Sequence, residues 1–509
     1  MPSELLLATV NARYAHASLG LRYLLANLGP LAPRAELLEF VLGERPAELA
    51  EKLLARRPRL LGLGVYVWNA AVTREVVAIV KAVAPEVVVV LGGPEVSHEL
   101  DGQPIVALAD HVVTGEGEVA FRELCTQLLA GGRDLPKVWP GGTPDLDALA
   151  LPYALYTDED LSRRVLYVEA SRGCPFRCEF CLSSLDAGVR RFSLERLLPA
   201  FDALLARGAR AFKFVDRTFN LHPRTSEALL DYFLEKEHEE LSLHFEVVPD
   251  RLPDGLRARL ARFPAGAVQL ELGVQSMDPE VTARIRREQD LALLADNLRF
   301  LRQQTGTHLH ADLILGLPGE TLDGIGRSFD ALHALGPHEI QVGILKRLRG
   351  APIARHEEPW RLVFDPEPPY ELLRSLTLDF ATLQRLKRFA RYWDLVANSG
   401  NFRETLPLLL GAESAFAAFL GFSDWLYDET GTRAGIELQR LVELVRRYLT
   451  ELRGLPEEKV GPTLLRDYLR AGRRVPECLA RYAEGASMPV VRESDPGRSA
   501  LPRQRRHRR

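Results

Sequence analysis

Residues 166–181 read Leu166-Tyr167-Val168-Glu169-Ala170-Ser171-Arg172-Gly173-Cys174-Pro175-Phe176-Arg177-Cys178-Glu179-Phe180-Cys181: a short buried-strand pattern that runs into a loop carrying three cysteines at spacings of four and three. The chain has only two other cysteines, Cys125 and Cys478. An odd, clustered set in a long chain points to metal chemistry in a reducing compartment, not to a disulfide framework. A cubane iron–sulfur cluster ordinarily takes four cysteine ligands. Three ligands leave one iron open, and an open metal position can bind and activate a small molecule. Structural zinc prefers four protein ligands, commonly from paired cysteines. No second CxxC pair exists here, so a distant histidine or Cys125 would have to complete such a site.

Working downstream from the loop, strand-like runs at 211–215, 243–247, 268–273, 308–315 and 339–343 alternate with helical spacing. Together with 166–169 they make six βα repeats, which predicts a barrel or an open partial barrel. Right-handed connections place the loops after the strands at one mouth. Upstream, strand-like runs at 5–10, 60–67, 87–91 and 111–114 alternate with helical patterns at 19–28 and 72–83 and after Gly117. That alternation predicts a parallel sheet in a doubly wound, Rossmann-like α/β domain. Ligands in such a domain sit beyond the carboxyl ends of the strands, where Gly92-Gly93-Pro94 and Gly115-Glu116-Gly117-Glu118 fall. Beyond residue 352 a Pro-rich crossing at 359–369 leads to helical patterns at 371–392, 405–420, 435–453 and 463–471, an all-helical third domain. The expected division is 1–140, a linker at 141–163, the barrel at 164–355, the helical domain at 356–486 and a disordered basic tail at 487–509.

The 509 residues are 46% hydrophobic and 26% charged, which excludes a fibrous or wholly disordered chain, and the net charge of -4 carries no general demand for nucleic acid. No apolar run approaches the roughly 20 residues that span a bilayer, and the N-terminus lacks the basic flank of a signal peptide. A cytoplasmic protein with no membrane partner is expected. In the helical domain, basic and aromatic residues interleave from Leu383 to Trp393. This reads either as a stacking and phosphate-neutralising surface for RNA or as an amphipathic helix with a solvated basic face. The tail Arg503-Gln504-Arg505-Arg506-His507-Arg508-Arg509 reads as a solvated end or a second RNA contact.

A CxxxCxxC loop after the first strand of a six-repeat βα barrel resembles the radical S-adenosylmethionine (SAM) superfamily. The resemblance implies that Cys174, Cys178 and Cys181 hold a [4Fe–4S] cluster whose open iron chelates SAM, with Phe180 against the adenine. Phe245-Glu246-Val247, Leu272-Gly273-Val274-Gln275-Ser276 and Asp312-Leu313-Ile314-Leu315-Gly316-Leu317-Pro318-Gly319-Glu320 resemble segments of its coproporphyrinogen-oxidase-like branch. By that resemblance Glu246, Gln275 and Asp312 contact SAM. The second strand ends in Asp216 where the superfamily commonly has glutamate, and Asp216 is a candidate for the same task.

The first domain is similar to the cobalamin-binding domain of vitamin-B12-dependent radical SAM proteins. Ala17-Ser18-Leu19-Gly20, Leu63-Gly64-Val65-Tyr66-Val67-Trp68-Asn69 and the two glycine turns carry the similarity. It implies cobalamin contacts at Leu19, Gly64, Trp68, Asn69, Gly92, Gly93, Gly115, Glu116 and Gly117. The DxHxxG motif that supplies a cobalt-ligating histidine elsewhere is missing, and His16 does not fit its spacing. Methylthiotransferases share the barrel segments but carry three further cysteines before it, where this chain has only Cys125. The implied activity is methylation of an unactivated carbon through methylcobalamin and a 5′-deoxyadenosyl radical, fed by an external low-potential electron donor. The alternatives are rearrangement or redox chemistry with the same cofactors, or a corrinoid- or cluster-binding sensor. The substrate is open among a small molecule, a peptide and RNA, and no catalytic side chain is assigned.

Overall fold

The computed structural model describes residues 4–186, 188–236, 240–470, 473 and 475–483. The expected basic tail lies outside them. The chain divides into two compact units: Met1–Arg217 with Lys346–Ala354 and Asp365–Glu371, and Thr218–Leu345 with Arg355–Phe364 and Leu372–Arg509.

The first unit contains a six-stranded sheet of β1 (Leu5–Asn11), β2 (Ala35–Val41), β3 (Leu60–Gly64), β4 (Val88–Gly92), β5 (His111–Thr114) and β6 (Val138–Pro140). Its order is β2-β1-β3-β4-β5-β6, with every pair parallel. The order reverses between β1 and β3, and at such a switch point the flanking connections leave on opposite faces and open a crevice. Alternate residues of β1 feed two cores. Leu6, Ala8 and Val10 pack with Leu49, Leu53, Val76 and Val80 on one face, and Leu5 and Leu7 with Leu21, Phe121 and Leu124 on the other. The sequence pattern does not reveal β2, because every one of its residues is only half-buried. An edge strand of this kind shows no continuous apolar run.

The same unit holds β7 (Leu166–Val168), a short hairpin of β8 (Ser171–Arg172) and β9 (Arg190–Arg191), and β10 (Ala211–Phe214), which runs parallel to β7. The cysteine loop lies inside the β8–β9 hairpin.

The second unit carries four parallel strands: β11 (Ser242–Val247), β12 (Val268–Gln275), β13 (His308–Leu315) and β14 (Glu339–Ile344). Leu243, Phe245, Leu270, Leu272, Leu309, Ala311 and Ile340 are buried on one face. The other face is polar. Glu246 pairs in register with Glu271, Glu271 with His310, and His310 with Glu339.

The helical patterns of the third region resolve into helices Phe380–Val396, Leu406–Leu410, Ala415–Thr430, Leu438–Arg447 and Glu457–Arg470. Their bounds differ from the sequence expectation, most clearly in the first two and in the last, which begins at Glu457 instead of 463. The residues before Phe380 include a strand, Leu372–Arg374, and the helix begins only where the Asp379 side chain accepts from the Thr382 N–H. The run expected at 405–420 breaks at Gly411, whose φ of 71° ends one helix, and a new one starts at the Ser414 cap. Leu383, Leu386, Phe389, Trp393 and Val396 form the buried stripe of Phe380–Val396. Phe389 and Trp393 both meet Phe419 edge to face. Asn398 then donates to and accepts from the Ile340 backbone at 2.9 and 3.0 Å, which satisfies edge groups of β14.

Candidate functional site

The first unit has a cleft at the carboxyl ends of β3, β4 and β5, at the sheet's switch point, with a cavity volume of about 350 Å³. Leu19, Gly64, Gly92, Gly93, Gly115, Glu116 and Gly117 all line it. Its glycines leave room that a side chain would take. Gly93 has φ of 110°, and a Cβ there would lie 2.5 Å from the Val65 carbonyl oxygen. At Gly117 it would lie 3.2 Å from Val113 Cγ1, and at Gly64 3.3 Å from Thr9 Oγ1. Backbone is thereby exposed to a large flat ligand.

Two sequence-predicted contacts do not line this cleft. Asn69 is fully buried; its amide donates to Thr9 Oγ1, Val10 O and Gly64 O at 3.0–3.2 Å and its carbonyl accepts from Tyr66 N–H at 2.8 Å. That bonding ties β1 to β3. Trp68 is 45% exposed, donates to Val10 O at 3.2 Å and stacks on Tyr66 at 4.4 Å. It is Tyr66 that lines the cleft. His16 binds the Tyr167 hydroxyl at 2.6 Å through Nδ1; burial, then Lys213 and Arg13, lower its pKa. Cys125 is fully buried in helix Glu118–Leu129, and burial pushes its thiol up to about 12.

The residues that sequence reasoning missed come from the cysteine-loop segment. Glu169, Arg172, Gly173 and Asp186 line the same cleft as the glycines. The Arg172 guanidinium lies 2.8 Å from carboxylate oxygens of Glu116, Glu118 and Glu169. Burial works against its charge, but Glu169, then Glu118 and Glu116, hold its pKa above the ordinary arginine value. Burial raises Glu169 despite Arg172. Glu118 Oε2 is buried without a hydrogen-bond partner. A signal for this wall existed only as an Arg-Gly pair before the first cysteine.

Within the loop, Gly173 has φ of 95° and a Cβ there would collide with the Gly188 carbonyl, so the turn into Cys174 requires glycine. The Cys181 N–H donates to Cys178 O at 3.1 Å, and Arg177 braces the loop by donating to the Ser184 and Asp186 carbonyls. Burial raises the Cys174 thiol, a nearby Phe176 N–H lowers it, and the charges of Cys181 and Cys178 raise it again. Among the described residues no three His, Cys, Asp or Glu side chains converge as a single ion needs. Cluster ligands bind separate irons and need no common point, so the donor set fits a cluster.

Phe180 is half-buried beside Cys181. Asp216 is almost fully buried, and its oxygens accept from Ala170 N–H at 2.9 Å and from the Ser171 hydroxyl. Burial lifts it to about 7 although both bonds oppose the shift. These bonds tie Asp216 to Ala170 and Ser171, at the entry to the cysteine loop.

In the second unit, Gln275 ends β12 with φ of 69° at an irregularity in the β12–β13 register. A Cβ on Gly273 would lie 2.8 Å from Gln275 Nε2, so the glycine makes room for that amide. Asp312 Oδ1 is 3.4 Å from His310 Nε2. Burial lowers the His310 pKa, and Asp312 more than reverses this. Two further pairs, His244–Glu271 at 2.8 Å and His308–Glu339 at 2.9 Å, share the polar face with Glu246.

The helical region buries the rings that an RNA surface would present: Phe389, Tyr392 and Trp393 are at most 3% exposed. Arg385 is paired with Asp424 at 2.6 Å, and Arg388 lies over the Tyr427 ring. No helix among the described residues is long and apolar enough to cross a membrane.

Comparison with known proteins matches residues 5–125 to the B12 binding domain, 168–332 to the radical SAM superfamily and 358–492 to a domain of unknown function, DUF4080. The chain is 31% identical over 357 residues to the cobalamin-dependent radical SAM methyltransferase TokK of Streptomyces tokunonensis, covering 61% of this chain and 50% of TokK. It is also 31% identical to a 2-(S-pantetheinyl)-carbapenam-3-carboxylate methyltransferase of Streptantibioticus cattleyicolor, covering 59% and 49%. The chain thus spans about half the length of these curated relatives. Among solved structures, the cobalamin-dependent SAM radical enzyme OxsB shares the fold with a TM-score of 0.61 at 14% identity, covering 99% of this chain and 83% of OxsB. The radical SAM methyltransferase TsrM of Kitasatospora setae, solved with cobalamin and a [4Fe–4S] cluster, has a TM-score of 0.55 at 18% identity and coverages of 69% and 77%.

Proposed function

We propose that this chain, whose residues 168–332 match the radical SAM superfamily and 5–125 the B12 binding domain, methylates an unactivated carbon of a small molecule. The observation that carries this reading is the shared wall of the cleft, where the segment leading into the cysteines stands beside the glycine turns. A methyl carrier and a radical source serve one reaction only when their sites are neighbours.

Cys174, Cys178 and Cys181 would hold a [4Fe–4S] cluster. The likeness of their segments to the family's supports SAM-binding roles for Phe180, Asp216, Glu246, Gln275 and Asp312, each taken by itself. Leu19, Gly64, Gly92, Gly93, Gly115, Glu116 and Gly117 would hold cobalamin. When bound, these groups supply the electron, the hydrogen-abstracting radical and the methyl relay that such a methylation requires. The chain's own contribution is positional. Gly93 and Gly117 keep the turns compact and would leave room at the cleft for cobalamin, and Asp216 ties the start of the cysteine loop through Ala170 and Ser171. The buried Leu63 and Leu91 give the cleft an apolar lining. Two relatives are named as methyltransferases, one for a carbapenam carboxylate, which supports a small-molecule substrate. An external low-potential donor and a cytoplasmic location complete the reading.

Anaerobic reconstitution of the full chain with iron, sulfide, hydroxocobalamin and SAM, with a low-potential reductant such as Ti(III) citrate as the electron source, tests it. The expected products are 5′-deoxyadenosine and S-adenosylhomocysteine, both lost in Cys178→Ser. Deoxyadenosine alone would favour rearrangement or redox chemistry, and neither product would favour a sensor.

A further inference from the structure

We propose that Arg172 is the positioning residue through which occupancy of the glycine cleft sets the conformation of the cysteine loop; this rests on the corrinoid and cluster reading above. Arginine presents its donors in a rigid planar fork, so what holds one edge constrains the other. Here Nε and one terminal nitrogen grip Glu169 at 3.0 and 2.8 Å, at the end of β7. The other terminal nitrogen reaches Glu116, in the glycine turn after β5, and Glu118, at the start of the helix that follows, at 2.8 Å each. The guanidinium carbon lies 4.7 Å over the Tyr23 ring and 5.8 Å from that of Phe192, which fixes the plane. The backbone of Arg172 pairs with Arg190 in the hairpin that encloses all three cysteines, and Arg190 is itself paired with Glu116. Both arms of the hairpin therefore hang on one glutamate of the cleft wall.

That wall is also built to receive a donor. Glu118 Oε2 is buried without a hydrogen-bond partner and belongs to a residue lining the cleft. A corrinoid carries primary amides around its rim, and an amide N–H on a buried carboxylate makes a charge-assisted bond. Drawing Glu118 or Glu116 toward such amides changes the pull on Arg172, and the fork transmits that change to Ser171–Arg172 and the residues leading to Cys174.

The test uses the reconstituted full chain as wild type, Arg172→Lys and Glu116→Gln. Low-temperature EPR of the reduced cluster is recorded with and without hydroxocobalamin, alongside iron content and hydroxocobalamin affinity. Wild type is expected to show a cluster signal that changes when the corrinoid binds. Arg172→Lys is expected to keep its iron, lose that change and bind hydroxocobalamin at least about tenfold more weakly. Glu116→Gln should weaken the response in the same direction, and it decides the matter if the arginine variant does not fold. A wild-type signal indifferent to the corrinoid, or variants that respond like wild type, would overturn the coupling. Wild type that takes up no iron or no corrinoid would instead sink the underlying reading.

Discussion

At the ends of β3, β4 and β5 the first unit withdraws its side chains, whereas along β11 to β14 the second unit presents them in pairs. The cleft is shaped by Gly64, Gly92, Gly93 and Gly117, and its polarity comes from one guanidinium among carboxylates. The strand face of the second unit is made of His244–Glu271, His308–Glu339 and His310–Asp312. The difference is one of tolerance. The glycine surface fails most sharply at Gly93, where an added carbon would meet the Val65 backbone, which cannot turn aside. A paired polar surface fails when a partner is removed, because the survivor is left buried without a bond.

The largest break in this contrast is expected at Gly93. Its φ of 110° and ψ of 170° lie where side chains are rarely found, and a Cβ would lie 2.5 Å from Val65 O. Gly93→Ala should lose corrinoid retention and cost on the order of 3–4 kcal/mol of stability. Gly102→Ala is the control, since its φ of 78° is unusual but nothing lies within 4 Å of the added carbon. It should cost about 1 kcal/mol and leave retention unchanged. Equal effects in the two variants, measured by denaturant melts and corrinoid absorbance, would show that the close approach at the cleft is unimportant.

A smaller break is expected in the helical part of the second unit. The buried Asp467 accepts from Glu404 N–H, Thr405 N–H and the Thr405 hydroxyl at 2.8–3.0 Å, and Arg470 lies 3.1 Å away. Asp467→Ala strands all of these donors and should cost about 2–4 kcal/mol, with corrinoid retention unaffected. Loss of the corrinoid with the stability would contradict the separation of the two roles.

The smallest effect is a change of slope. Glu320 is buried and accepts from the Gly316 and Leu317 N–H groups; burial outweighs both bonds and pushes it up to about 8. A carboxyl whose folded pKa is raised binds more protons folded than unfolded. Its contribution is therefore full below the unfolded value, about 4.5, and is lost as pH rises through about 8. Glu320→Gln should flatten stability against pH across that window. An unchanged profile would place the titration elsewhere.

Periodicity made most of the architecture legible. The apolar runs of β1, β3 and β4 are buried on both faces and announce a parallel sheet, and the glycine turns mark their ends. The half-buried β2 had no such signature. Asn69 shows the limit for the site. It stands in the segment leading from β3 and reads like a ligand contact, yet its side chain turns inward to bind Thr9 and Val10, more than fifty positions away. In the basic-aromatic run from Leu383 to Trp393, helical spacing sends Phe389, Tyr392 and Trp393 to the core, while Arg385 pairs with Asp424 and Arg388 lies over Tyr427.

What the sequence alone determined is what depends on local spacing: three thiols on one loop, glycines where strands end, and apolar stripes at strand or helix period. Only the tertiary structure decided that the segment before the cysteines forms a wall of the glycine cleft. Arg172 meets Glu116 and Glu118 across more than fifty residues of chain, and such a meeting is set by how the sheet and hairpin pack, not by any pattern between neighbours along the chain.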